Sequence, residues 1–406
     1  MGGALIMALR PSVLAVTSQM PWPLNSGGHL RTYHLLRSIA EHADVRLVVP
    51  SSRKDDPGVA ALRQAGVTPV LVPVSSRNIV GESLRAAAAM AASQPYVLFT
   101  RHRRSAVRRA LRREAQRARP DVLYLDHLDS LVYADCAPGA RIVIDMHNVY
   151  SHLARRSATE RRGVARRYML NQAQLLERQE RTATVTADTL MTVSSDDALY
   201  FSRLGGHVTV IPNGVDCSVF GAAAQGTRRS RTILYVGALD WPPNANAAKF
   251  LAEEVLPEVR RHVPDARLAL VGRNPTAAVQ ALAREDGSVS VHGSVPDVVP
   301  FFADAAVLAV PLEAGGGSRL KILEAFAAGL PVVSTPIGCE GLDATDGEHL
   351  VVCGKRQFAA AIAGILAKPA AADGYAQRAR LLVQERYDWR TVGQHAADAI
   401  SLAAHR

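Results

Sequence analysis

Cysteine is scarce in this chain and never paired: Cys136, Cys217, Cys339 and Cys353 are scattered over 406 residues without a C-x-x-C. That spacing excludes a zinc ribbon or a disulfide framework, and the thiols read as buried or inert groups in a reducing compartment. Long apolar runs are missing as well. No stretch reaches the roughly 18 residues that a membrane-spanning helix needs. The apolar start MGGALIMALRPSVLAV has no basic region before it and runs straight into a strand-like segment, so a secretory leader is not expected and a cytoplasmic protein is. Aromatic residues make up only 5%. Without an RNP motif, a zinc finger or aromatics interleaved with the basic residues, nucleic acid is not an expected partner. Neither half carries a G-x-G-x-x-G at a first strand-to-helix turn, because SGGHLR breaks the spacing. That absence weighs against a dinucleotide-dependent oxidoreductase.

What remains is the composition of an ordinary globular protein, 48% hydrophobic and 21% charged. The length calls for two domains. The net charge of +10 is concentrated in two arginine blocks of the first half, residues 101–119 and 155–167. Such blocks suit an anionic membrane surface or a phosphorylated acceptor, and equally a solvated helix face.

The apolar runs are short, continuous and rich in Val, Ile and Leu, as in strands buried on both faces of a parallel sheet. In the first half they are Ser12–Ser18, Val45–Pro50, Val67–Val74, Val122–Leu125, Ile142–Met146 and Leu190–Ser194; in the second, Val208–Pro212, Ile233–Val236, Ala266–Val271, Val289–Val291, Val307–Val310 and Pro331–Ser334. Helical patterns lie between them, which predicts an α/β protein made of two Rossmann-like, doubly wound domains. The expected division is an N-terminal domain over 11–206, a C-terminal domain over 207–385, and a last helix over 386–406 packing back on the first domain.

Ligands of open α/β sheets sit beyond the carboxyl ends of the strands, so strand-to-helix loops carry the chemistry. The richest is Ala309–Thr335. After the strand Val307–Val310, Gly315, Gly316 and Gly317 permit close backbone approach, and a helix opens near Ser318 with Arg319 and Lys321 as flanking cations. A helix start with cations is an anion site. Glu324, one turn beyond Lys321, is placed to accept hydrogen bonds from two vicinal hydroxyls, as in a ribose. Together these parts describe a nucleoside-diphosphate site, against the alternative of a glycine-rich turn with a surface ion pair. In the first half, Gly27 and Gly28 follow the first strand and let the backbone reach phosphate or acceptor, although an ordinary turn has the same sequence. Arg31, on the next helix, either meets an anionic acceptor or sits in water. His147 lies at the carboxyl end of Ile142–Met146, and Asp145 shares its face if the strand continues regularly.

The run GGGSRLKILEAFAAGLPVVST followed by GCEG resembles the donor-site signature of GT-B glycosyltransferases of the retaining family 4, in its bacterial polysaccharide-type subgroup. PWPLNSGGHLR, DMHN, SSDD, IPNGVD, YVGALDWPPNANA and VGRNP match in order, and the resemblance runs from about residue 12 to Trp389. It implies two domains facing a central cleft and transfer of a hexosyl group from a nucleotide-diphosphate sugar to a glycan, a lipid-linked sugar or a small molecule. It gives Glu324 the donor ribose and His147 the transferred sugar. The family's first glutamate falls on Gly316 here, and the cations usual after the first strand of the C-terminal domain are absent from GALDWPPN. Arg319 and Lys321, with Arg273 of VGRNP, are the substitutes for phosphate, and Val295 is the expected contact for the base. No D-x-D element occupies a suitable loop, so neither a metal nor a further cofactor is expected. The competing reading is a catalytically silent GT-B scaffold that binds a nucleotide or a partner.

Overall fold

The computed structural model describes residues 10–51, 57–74, 79–96, 99–159, 161–225, 230–314 and 319–405. They form two compact units, one made of the residues up to Asn213 together with those from Val392 onward, the other of Gly214–Thr391.

The first unit is built on a seven-stranded sheet of β1 (Ser12–Val16), β2 (Asp44–Ser51), β3 (Thr68–Pro73), β4 (Val122–Asp126), β5 (Arg141–Met146), β6 (Thr189–Thr192) and β7 (Val208–Val210), in the order β3-β2-β1-β4-β5-β6-β7. Every pairing is parallel. The second unit has β8 (Thr232–Val236), β9 (Arg267–Gly272), β10 (Val289–Gly293), β11 (Val307–Val310), β12 (Val332–Ser334) and β13 (Val351–Val352), in the order β10-β9-β8-β11-β12-β13 and again parallel. The central strands β4 and β11 are buried at every residue, because helices cover both faces of each sheet.

One expectation about the fold needs correction. Val208–Pro212 was assigned to the second half, but Leu190, Met191 and Thr192 of β6 pair with Val208, Thr209 and Val210, so the first unit runs to Asn213 rather than to 206. The helix after β8 begins at Pro242, where a proline's fixed φ suits a helix start. It passes through a π turn at Leu251–Val255 and ends in a short helix, Leu256–Arg260.

In both sheets the winding reverses between the first and fourth strands of the unit, at β1/β4 and at β8/β11. A crevice opens at such a point beyond the carboxyl ends. On the other side of β8, Gly272 ends β9: a Cβ there would lie 1.6 Å from the Gly237 carbonyl oxygen, so only glycine lets the ends of β8 and β9 come this close.

Candidate functional sites at the two sheet switch points

In the first unit, Gly27 and Gly28 open the helix Gly27–His42 directly after the β1 loop. Ser26 caps it, its side chain accepting from the His29 amide at 3.3 Å, and no acidic residue lies in the first turn. A Cβ added to Gly28 would sit 3.6 Å from His127 Nε2 and 4.0 Å from His147 Nδ1. Glycine, helix start and two imidazoles therefore share one spot.

The imidazoles stand on a buried charge network. Asp126, which ends β4, accepts from Thr17 Oγ1 at 2.8 Å and Thr32 Oγ1 at 3.0 Å, and it lies 2.9 Å from His127 Nδ1 and 3.0 Å from His147 Nε2. His147 Nε2 is also 3.1 Å from Asp145 Oδ2. Carboxylates only accept, so this nitrogen carries a proton, and Nδ1 is turned toward Gly28. The two rings stack with centroids 3.5 Å apart. Burial disfavours charge on His127, but Asp126 outweighs it and raises the ring to about 9, an imidazolium at neutral pH. Burial alone would likewise push Asp126 up, yet His127 and His147 hold it well below the usual carboxylate range. The His127 backbone, at φ 66° and ψ 160°, is in a region that is nearly glycine-only, a strain that clusters at functional sites.

Arg31 is not where the sequence suggested. It is 1% exposed. Its Nε and Nη2 donate to Asp145 at 2.9 and 2.6 Å, and its Nη1 donates to the Ile211 and Pro212 carbonyls at 2.7 and 3.1 Å. Committed in this way, it is neither solvated nor a ligand for an acceptor. It braces Asp145 and ties the end of β7 to the helix Gly27–His42. Burial works against both charges, but Arg31 and His147 together keep Asp145 ionised.

The nearest ligand atoms of Asp126, His127 and His147 fall within 4.8 Å of one another, a spacing that a metal could use. Ligation requires a neutral imidazole, so a metal there would displace the proton that Asp126 favours on His127. Asp196 and Asp197 lie in the first turn of the helix Ser195–Arg203, whose cap is the Ser194 hydroxyl.

In the second unit, Arg319 caps the helix Leu320–Ala327, which carries Lys321 and Glu324 just past the end of β11. Arg319 is buried and pairs with Glu340 of the GCEG segment at 3.3 Å. Burial lowers Lys321 to about 7, with Arg319 adding to the effect, and raises Glu324 to about 7. A lysine and a glutamate both poised near neutrality at a sheet switch point make this a candidate functional site. Lys321 Nζ lies over the Tyr235 ring, 4.4 Å from its centroid. Gly316, Gly317 and Ser318 lie outside the described residues. Arg273 is exposed in the β9 loop, its carbonyl accepting from the Leu239 amide at 2.9 Å. Val295 is half-buried in the loop after the edge strand β10.

Three residues of these sites were missed in the sequence: His127, Tyr235 and Asn244. His127 carried the signal used for His147, a histidine at a strand's carboxyl end. The other two looked like strand core and helix start.

Comparison with known proteins bears on the family and the fold. Residues 25–219 match the family model described as Glycosyltransferase Family 4, and residues 230–368 the model described as Glycosyl transferases group 1. A glycogen synthase of Mycobacterium tuberculosis is 33% identical over 240 residues, 54% of this chain and 55% of the relative. A phosphatidyl-myo-inositol mannosyltransferase of the same organism is 29% identical over 205 residues, 47% and 52% of the two chains. The chain thus spans about half the length of the curated relatives it matches. Among solved structures, sucrose-phosphate synthase from Thermosynechococcus elongatus aligns with a TM-score of 0.69 at 16% identity, over 98% of this chain and 100% of that one. Anabaena Alr3699/HepE in complex with UDP and glucose aligns with a TM-score of 0.60 at 17% identity, over 96% and 99%. With a model of that family matched in each unit, this chain belongs to the group 1, family 4 glycosyltransferases and has their two-domain GT-B fold.

Proposed function

We propose that the protein is a retaining, metal-independent glycosyltransferase that moves a hexosyl group from a nucleotide-diphosphate sugar to a glycan, a lipid-linked sugar or a small-molecule acceptor. The observation that carries the reading is the Lys321–Glu324 pair beyond β11, one cation and one carboxyl held near neutrality one helical turn apart. In this reading Glu324 takes the ribose hydroxyls. Lys321 and Arg319 take the diphosphate, whose growing charge in the transition state they stabilise. Arg273 and Val295 serve the outer phosphate and the base. Gly27, Gly28 and the two imidazoles serve the transferred sugar and its acceptor, with His147 Nδ1 accepting from a sugar hydroxyl. No side chain is assigned as a nucleophile. The acceptor hydroxyl attacks from the side on which the diphosphate leaves, and a phosphate oxygen takes its proton.

The names of the relatives, a glycogen synthase and a mannosyltransferase, and a structural neighbour solved with UDP and glucose support an enzyme over a silent scaffold. Among the described residues no helix is long and apolar enough to cross a membrane. The helix Ser105–Ala118 buries Val107, Ala110, Leu111 and Ala115 and turns Arg109, Arg113 and Arg117 outward, a face suited to peripheral contact with anionic lipid.

A thermal-shift and hydrolysis screen with UDP-, GDP- and dTDP-sugars tests the reading. One donor should raise the melting temperature and be turned over. Glu324→Ala should lose both responses while its unliganded melting stays close to that of the parent. Transfer at the parental rate by that variant would refute the site.

A further inference from the structure

The loop after β8 has no cation, but it supplies an amide. Asn244, in the helix Pro242–Phe250, is 6% exposed. Tyr235 Oη donates to Asn244 Oδ1 at 2.7 Å, and Asn244 Nδ2 donates to the Ala238 carbonyl at 2.9 Å. Both partners fix the amide's orientation, with its oxygen toward Lys321. Lys321 Nζ is 3.4 Å from Asn244 Oδ1 and 3.4 Å from Tyr235 Oη, over the Tyr235 ring. Gly237 leaves the room: a Cβ there would stand 2.9 to 3.1 Å from the Asn244 amide atoms. Strand β8, the following helix and the helix after β11 thus converge on one ammonium.

A lysine has a flexible four-carbon stem, and holding it in one place costs side-chain entropy. A carboxylate would hold it but would also cancel its charge. An amide oxygen and an aromatic face hold a cation while leaving its charge for an incoming anion. The charged groups acting on Lys321 are Arg319 and Glu324, both from its own segment, whereas β8 and its helix present only neutral partners.

We propose that Asn244, oriented by Tyr235, is the positioning residue that fixes the Lys321 ammonium for the donor diphosphate, replacing the cations this loop lacks. This rests on Lys321 being a diphosphate ligand, and the test separates the two claims. Calorimetry on the full chain measures the affinities of UDP and GDP, with uridine and guanosine as references, for the parent, Lys321→Ala, Asn244→Ala and the double variant. Asn244→Ala should weaken the diphosphate by about tenfold, as expected for losing a hydrogen bond to a charged group, and leave the nucleoside unchanged. In the Lys321→Ala background the same substitution should have no further effect. The pH at which diphosphate affinity falls should move down in Asn244→Ala, which loses an acceptor for the ammonium, and up in Asn244→Asp, which gains a charge beside it.

Equal loss for nucleoside and diphosphate, or a loss that persists without Lys321, would show a merely structural asparagine and overturn the proposal. Lys321→Ala weakening the diphosphate while Asn244→Ala does not would overturn the anchor alone. An unchanged diphosphate affinity in Lys321→Ala would overturn the site reading and the anchor with it. If Asn244→Ala fails to fold, Tyr235→Phe keeps the ring and its packing and should give a smaller loss with the same dependence on Lys321.

Discussion

Lys321 and Glu324 are each set near pH 7 by burial, and each is displaced from its ordinary value in the direction that favours the neutral form. A bound diphosphate favours the lysine's proton, and ribose hydroxyls donating to the glutamate favour its carboxylate. Binding should therefore take up a proton at about pH 8, where free Lys321 is mostly neutral, and release one at about pH 6, where free Glu324 is mostly protonated. Calorimetry of UDP or GDP in buffers of different ionisation enthalpy reads this exchange. Lys321→Arg should abolish the uptake, because a guanidinium stays charged, and Glu324→Gln should abolish the release. Parental proton exchange in both variants would rule out these residues as ligands. Lys321 and Glu324 stood out in the sequence because a glycine-rich turn and a helix start follow the apolar run Val307–Val310, and His147 because it directly follows Ile142–Met146. Asn244 did not, since its role exists only once the β8 and β11 ends are brought together. Arg31 was misread for the same reason: on a helix with polar neighbours it looks solvated until β5 places Asp145 beneath it.

At the level of elements, two glycines separate chemistry from architecture. Alanine at Gly28 would make ordinary contacts with the imidazoles, 3.6 to 4.0 Å away, in a helical turn that tolerates it. Gly28→Ala should melt within about 1 kcal/mol of the parent, yet fill the space over His127 and His147 and slow transfer by roughly tenfold or more. Alanine at Gly272 would drive its Cβ to 1.6 Å from a backbone oxygen. Gly272→Ala should cost more than about 2 kcal/mol by denaturant melting, since backbone and not a side-chain tip must yield. The elements themselves were largely readable. Strands buried on both faces announce themselves as continuous Val, Ile and Leu runs, and twelve of the thirteen strands among the described residues were foreseen within a few residues of their ends. The exception, β13, has only two residues and too little pattern to see. The unit boundary slipped because Val208–Val210 is an apolar run between turn signals that fits either sheet by composition, and only its pairing with β6 decides.

On the scale of the whole molecule, the two units carry opposite pH dependences through the same window. In the first, His127 is raised from 6.5 to about 9. Its contribution to stability is complete below the unfolded value and is lost as pH rises through the folded one, because the native state holds the proton that the unfolded chain has released. In the second, Lys321 is lowered from 10.5 to about 7. There the unfolded chain holds the extra proton, so stability rises with pH from about 7 upward. Glu324, raised from 4.5 to about 7, has spent its effect below this range. Between about pH 7 and 9 the first unit should weaken while the second strengthens. Hydrogen exchange of the unliganded chain, corrected for the intrinsic rate and read in peptides of β4–β5 and of β8–β11, resolves the two. His127→Gln should flatten the first trend and Lys321→Met the second, each leaving the other intact. If protection in both units moved together, and neither substitution altered it, the charge states assigned to the two sites would be wrong.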